Sequence, residues 1–174
     1  MTVGQMLVNG ENILRIAIIH TSLAERGGAE RQLLMLASIL QNHGHVVEVF
    51  VPYRSLKCYG ELQRKLKICS ISGVGVGGRL HNFVSISGVW AMLRLSLRVG
   101  GGFDVVNVHN SPSHWAGIFA KLLYGTPVVW MCNEHPSWHD VSCGGLMRRS
   151  YCLLLALIDK LAVKLVDGIV VKMG

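Results

Sequence analysis

Apolar and polar positions along this chain fall into blocks whose period shifts repeatedly between that of a strand and that of a helix. The run Arg15-Ile-Ala-Ile-Ile-His20 is short, continuous and β-branched, as a strand buried on both faces would be. A polar loop with Gly27 and Gly28 follows, and Leu33, Leu34, Leu36, Ala37 and Leu40 then recur at helical spacing. This predicts a helix over 29–42, with Gly44 where a C-terminal cap belongs. Val46-Val-Glu-Val-Phe-Val51 predicts the next strand, closed by Pro52. The stretch 53–67 is basic and polar and keeps no clear period, while 66–71 has the apolar content of a short third strand. Beyond a glycine-rich stretch, 83–99 predicts a helix ended by Gly100, Gly101 and Gly102. Strands over 104–109, 127–131 and 168–171 then alternate with helices over 112–124 and 146–166.

Strands alternating with helices through short loops imply right-handed crossovers and a parallel sheet covered on both faces. The expected fold is α/β, a single Rossmann-like domain over 15–174 behind a leader at 1–14. Hydrophobic residues make up 51% of the 174 and charged ones 16%, with a mean hydropathy of +0.41. Disorder is thereby excluded, because such a chain buries enough apolar surface to offset its ordering entropy. The most apolar segment, 153–171, is broken by Asp159, Lys160, Lys164 and Asp167, which reads as a buried helix and strand and not a membrane span. Cys58, Cys69, Cys132, Cys143 and Cys152 are odd in number and irregularly spaced. Without a secretory leader they read as reduced thiols of a cytoplasmic protein. Seventeen Lys and Arg against ten Asp and Glu give a net charge of +7. That balance favours anionic partners: phosphates, nucleotide diphosphates, anionic lipid heads or nucleic acid.

Ligands of such a sheet bind beyond the carboxyl ends of the strands, so the loops after the strands are where chemistry is expected. In the first, Gly27 and Gly28 precede a helix, whose free amides and dipole favour an anion. Arg31 in its first turn adds a charge-assisted contact to a phosphate. A flexible loop with a solvated arginine is the competing reading. The second follows His109, with Asn110, Ser111 and His114 close by. A histidine there binds a sugar hydroxyl or phosphate or shuttles a proton; a capping or partly buried histidine is the plainer alternative. The third is Cys132-Asn-Glu-His-Pro136, in which Glu134 and His135 are suited to orient an acceptor hydroxyl.

Other motifs lead away from this picture. Gly73-Val-Gly-Val-Gly-Gly78 fits the dinucleotide fingerprint, yet no Asp or Glu lies between Glu61 and Asp104 to bind a ribose. Cys132, His135, His139 and Cys143 sit close together without the paired spacing of structural zinc sites. His43 and His45 flank Gly44 and read as a helix end and a strand start. Arg94 and Arg98 beside Trp90 and Leu93 suit an interfacial helix, against the reading of a solvated face. No basic-aromatic pattern supports nucleic-acid binding.

Taken together, the loops resemble a known family. Arg15-Ile-Ala-Ile-Ile-His20, Arg26-Gly-Gly-Ala-Glu-Arg31 and Gly44-His45-x-Val47 resemble the start of family-four glycosyltransferases of the GT-B fold. Phe103-Asp-Val-Val-Asn-Val-His109, Pro127-Val-Val-Trp-x-x-x-Glu-His-Pro136 and Leu165-Val-Asp-Gly-Ile-Val-Val171 are similar to later blocks of its N-terminal half. The resemblance implies an acceptor-side half that works with a nucleotide-sugar donor and retains configuration. It implies that Gly27 and Gly28 approach the donor diphosphate with Arg31 nearby. His109, Glu134 and His135 would face the transferring sugar or the acceptor as catalytic candidates, with Asn110 among the binding residues. The Glu-x7-Glu motif of the family's second half has no counterpart after residue 61. The donor-binding half is therefore expected either to come from a partner chain or to have been lost by truncation, with little transfer from this half alone. The acceptor is expected to be a glycan or lipid-linked glycan, with contact at the inner face of a membrane. No metal is expected, since no Asp-x-Asp cluster is present, and no resident cofactor, the nucleotide-sugar being a donor substrate. The alternative is a non-catalytic module that binds a phosphorylated lipid or glycan.

Overall fold

The computed structural model describes residues 7–8, 11–71, 86–132 and 146–171. Its strands are β1 (Leu7–Val8), β2 (Glu11–Asn12), β3 (Arg15–His20), β4 (Val46–Val51), β5 (Lys67–Ser70), β6 (Val105–His109), β7 (Val128–Cys132) and β8 (Gly168–Val171). Its helices are α1 (Gly28–Asn42), α2 (Gly60–Gln63), α3 (Ile86–Val99), α4 (Ser113–Tyr124) and α5 (Leu146–Val163). Within the segment expected as a leader, β1 and β2 pair antiparallel, with Leu7 opposite Asn12. The other six strands form one sheet in the order β5-β4-β3-β6-β7-β8, and every neighbouring pair is parallel. This is the expected α/β, Rossmann-like arrangement. Strand order reverses between β3 and β6, and such a switch point opens a crevice at the carboxyl ends of the strands.

The β-branched runs build the two sides of the core by simple alternation. Ile16, Ile18, Val47 and Val49 turn to one face and pack with Leu33, Leu34 and Ala37 of α1. Ala17, Ile19, Val106 and Val108 turn to the other and pack with α3 (Met92, Leu95, Val99) and α4 (Trp115, Ala116, Ala120). Gly117 lets α4 come close: an added Cβ would lie 2.6 Å from Cγ1 of Val108 and 3.0 Å from Cγ1 of Val128. Gly44 takes φ +89° after α1, and the Gly44 and His45 amides donate to the carbonyls of Gln41 and Leu40. That is the cap its sequence position predicts.

The end of α5 shifts from expectation. α5 ends at Val163, three residues early, in a turn where the Lys164 and Leu165 amides donate to Leu161 and Ala162. The cause lies beyond it, in Asp167, whose carboxylate accepts from the Val128 amide at 2.8 Å and from Lys121 at 2.7 Å. Those bonds fix the entry to β8 and stop the helix short. The stretch 53–67 contains only the short α2 and is otherwise held by backbone bonds to Leu23 and by side chain-to-backbone bonds, for which no hydrophobic period exists.

Candidate functional site

The reversal of strand order places two histidines side by side. His20 ends β3 and His109 ends β6, they are opposite each other in the register, and their ring centroids lie 6.3 Å apart. Both are fully buried. Nδ1 of His20 lies 2.9 Å from the carbonyl O and 3.1 Å from the N of Ser22. Either tautomer therefore finds a local partner at Nδ1, while Nε2 is buried without one among the described residues. His109 has neither ring nitrogen partnered among those residues.

Burial decides the charge of this pair. It lowers the pKa of His20 to about 4, against an opposing hydrogen bond from the ring to the Ser22 carbonyl. It lowers that of His109 to about 3, helped by the neighbouring His20. Both rings are thus neutral at pH 7, each carrying one donor and one acceptor. Asn110 comes next, at φ +60°, a conformation Asn tolerates better than other side chains. Its Oδ1 is also buried and unpartnered among the described residues. Ser113 fixes the turn into α4 by donating to the carbonyls of His109 and Asn110. The switch point thus holds buried neutral imidazoles and an amide oxygen whose hydrogen-bonding capacity is unmet among the described residues. Such a set matches an uncharged hydroxylated group.

The anion-seeking groups stand on the neighbouring lip. Gly27 is the extended N-cap of α1, with no side-chain cap. Gly28 has nothing within 4 Å of where a Cβ would be, whereas a Cβ on Gly27 would meet the Glu30 carboxylate. Gly28 is therefore the open approach to the helix N-terminus, and an anion over Gly27 has to displace Glu30. Arg31 is exposed in the first turn, and its amide donates to the Gly27 carbonyl at 3.2 Å. The lip carries the positive charge and the helix dipole that the histidine floor lacks.

A clamp that the sequence did not reveal holds this lip in place. Leu23 and Tyr53 are joined through the backbone, as are Ser55 and Leu23. The Arg26 Nε donates to the Lys57 carbonyl at 2.9 Å, Cys58 Sγ to that of Glu25 at 2.8 Å, and the Tyr59 hydroxyl to that of Gly27 at 3.2 Å. The fully buried Gln63 ties the clamp together: its amide donates to the carbonyls of Ser55 and Cys58, and its oxygen accepts from Arg54 at 2.8 Å. The only sequence sign was negative, a polar stretch with no period.

The structure therefore brings His109 and Asn110 together at the floor and sets Gly27, Gly28 and Arg31 on the lip. Glu134 and His135 lie outside the described residues, as do Gly73 to Gly78, His139 and Cys143. His114 is drawn away from the crevice: Nε2 meets Asp159 at 2.8 Å, and the ring stacks on Trp130 at 4.5 Å. With Trp115 Nε1 also donating to Asp159 at 3.0 Å, it joins α4 to α5. His43 caps α1, and the His45 ring accepts from the Leu14 amide, as a helix end and strand start should.

Against known proteins, the model of Glycosyltransferase Family 4 matches residues 26–171. No curated protein matches the chain in sequence. Among solved structures, MurG of Acinetobacter baumannii is similar at 15% identity and a TM-score of 0.52, over 92% of this chain and 42% of that one. Anabaena HepE in complex with UDP is similar at 15% identity and a TM-score of 0.49, over 91% and 43% respectively. A glycosyltransferase from Rickettsia africae ESF-5 follows at 14% identity and 0.47, over 91% and 42%. At these identities the likeness is one of fold. This chain spans about two fifths of the length of the solved chains it matches.

Proposed function

The chain belongs to Glycosyltransferase Family 4, and from that premise we propose that it supplies the acceptor side of a cleft for sugar transfer from a nucleotide-sugar. The observation that carries this reading is the division of the switch point into a neutral histidine pair and a glycine lip that offers the α1 N-terminus and Arg31. Transfer breaks the bond between the sugar's anomeric carbon and the diphosphate, and an acceptor hydroxyl forms the new bond as its proton passes to the leaving diphosphate oxygen. Negative charge builds on the leaving diphosphate, where the open amide end of α1 at Gly28 and the Arg31 guanidinium stabilise it. The sugar, uncharged and rich in hydroxyls, lies over His109 and Asn110. Glu134 and His135 are proposed to orient the acceptor, a glycan or lipid-linked glycan.

A single half of such a cleft leaves the reacting centre open to water. We therefore propose that the chain transfers little sugar until a donor-binding half completes the cleft. The site is placed on the cytoplasmic side, with peripheral contact at the inner membrane face. The nucleotide-sugar is a substrate here, not a resident cofactor.

The test is to supply a donor-binding half and measure transfer. Losing a hydrogen bond to a charged group costs about 1.5–3 kcal/mol. Arg31→Ala should thus lower kcat/KM roughly tenfold or more, with His109→Ala lowering it as well. Full activity in both variants would refute these assignments.

A further inference from the structure

The helices α3, α4 and α5 cover one side of the sheet, α4 lying between the other two. The outward surface of this layer is apolar and carries charge of only one sign. On α3, Trp90 and Leu97 are more than half exposed, and Arg94 and Arg98 are exposed beside them. Spacings of four (90–94, 94–98) and three (94–97) put all four on the same side of the helix. On α5, Leu153, Leu157 and Leu161 stand four apart, each 56% exposed, with Lys160 exposed among them and Lys164 exposed in the turn that follows. Leu122 and Leu123 at the end of α4 are exposed too.

Neither α3 nor α4 contains an acidic residue, and the single one in α5, Asp159, is buried against His114 and Trp115. Among the described residues, no carboxylate pairs with Arg94, Arg98, Lys160 or Lys164. A groove of about 290 Å³ opens between Ile71, Leu97 and the two arginines. A second, of about 280 Å³ and lined by Trp115, Phe119, Ile158 and Leu161 among others, runs between α4 and α5.

We propose that this helical layer docks on an anionic lipid surface. The inference rests on the reading of a lipid-linked acceptor and gives it a location. Exposed leucines and a tryptophan interleaved with Lys and Arg, without acids, are the composition of an interfacial face. The cations reach headgroup phosphates while their aliphatic stems and the leucines lie among acyl chains. The apolar contacts are spread over three helices instead of forming one central anchor. A broad interface of this kind suits a bilayer better than a protein partner, whose binding energy concentrates in a few buried residues. No described helix is long and apolar enough to cross a membrane, so the contact is peripheral.

The full chain should co-sediment with vesicles of phosphatidylcholine mixed with phosphatidylglycerol, but not with phosphatidylcholine alone. Added salt should release it. Each basic residue at such a surface accounts for about fivefold in affinity. Arg94→Gln with Arg98→Gln should therefore weaken binding about 25-fold, and Lys160→Gln with Lys164→Gln similarly. Because these positions are exposed, their thermal unfolding should match the unaltered chain, which separates loss of binding from loss of fold. Brominated acyl chains should quench tryptophan emission, and Trp90→Phe should remove much of that quenching.

Vesicle binding that is absent, or unchanged in both charge variants, overturns the proposal. So does a stable dimer in sedimentation velocity that Leu157→Glu dissociates, since a second copy would then cover this face. Vesicle binding that persists when the completed cleft shows no sugar transfer would overturn the transferase reading and leave the docking surface standing.

Discussion

The two histidines at the switch point make stability depend on acidity in a defined direction. Their folded pKa values, about 4 for His20 and about 3 for His109, lie below the value near 6.5 of an unfolded chain. As pH falls below about 6.5, the unfolded chain takes up these two protons and the native one does not. Stability contributed by neutral burial is complete above that point and declines toward the folded values. The slope is about 1.4 kcal/mol per pH unit for each histidine. Denaturant unfolding between about pH 6 and pH 5, above the usual carboxylate range, should show roughly twice that slope. His109→Gln should remove about half of it, and an unchanged slope would mean that the ring is not held neutral. His109 was legible in sequence because it closes a strand. His20 closes one as clearly, but its importance comes from the register with β6, a relation between residues 89 positions apart that no local pattern reports. Gln63 was illegible for another reason: its partners are backbone carbonyls, which every sequence has.

At the level of elements, apolar period located nearly everything it was able to locate. The strands at 15–20 and 46–51 and the helix ending before Gly44 follow from β-branched runs, helical spacing and a cap, each with a local cause. What period cannot convey is how closely two elements approach. α4 rests on β6 and β7 because Gly117 has no side chain, an added Cβ standing 2.6 Å from Val108 Cγ1 and 3.0 Å from Val128 Cγ1. Both valines are buried core residues with nowhere to retreat. Gly117→Ala should therefore destabilise the domain by about 1–3 kcal/mol, even though alanine is the better helix former by about 1 kcal/mol. Urea unfolding provides the measure, and a variant as stable as the original would show that α4 moves away freely. The same limit hid the role of His114. Its side chain was read with the crevice because it follows His109 by five residues, but the helix turns it toward Asp159 on α5.

At the scale of the molecule, the sequence pattern indicated a parallel sheet, and chain direction with right-handed crossovers put the crevice at its carboxyl end. The separation of charge within that crevice emerged only with the structure. Positive groups stand on the lip at Arg31 and the α1 N-terminus, while the floor at His20, His109 and Asn110 is polar and neutral. This chain spans about two fifths of the solved chains it resembles, and among its described residues the lip offers groups for a diphosphate and none shaped for a base. On the proposed reading, its own contribution to donor binding should be blind to the nucleoside. Titrated calorimetrically into this chain, uridine diphosphate, guanosine diphosphate and pyrophosphate should bind with affinities within about threefold of one another, a spread below 1 kcal/mol. Gly28→Ala should weaken all three alike, because a methyl group there stands between ligand and helix amides while meeting nothing in the protein. A tenfold preference for one base would instead put base recognition on this half, and would require the second half to do less than a shared cleft asks of it.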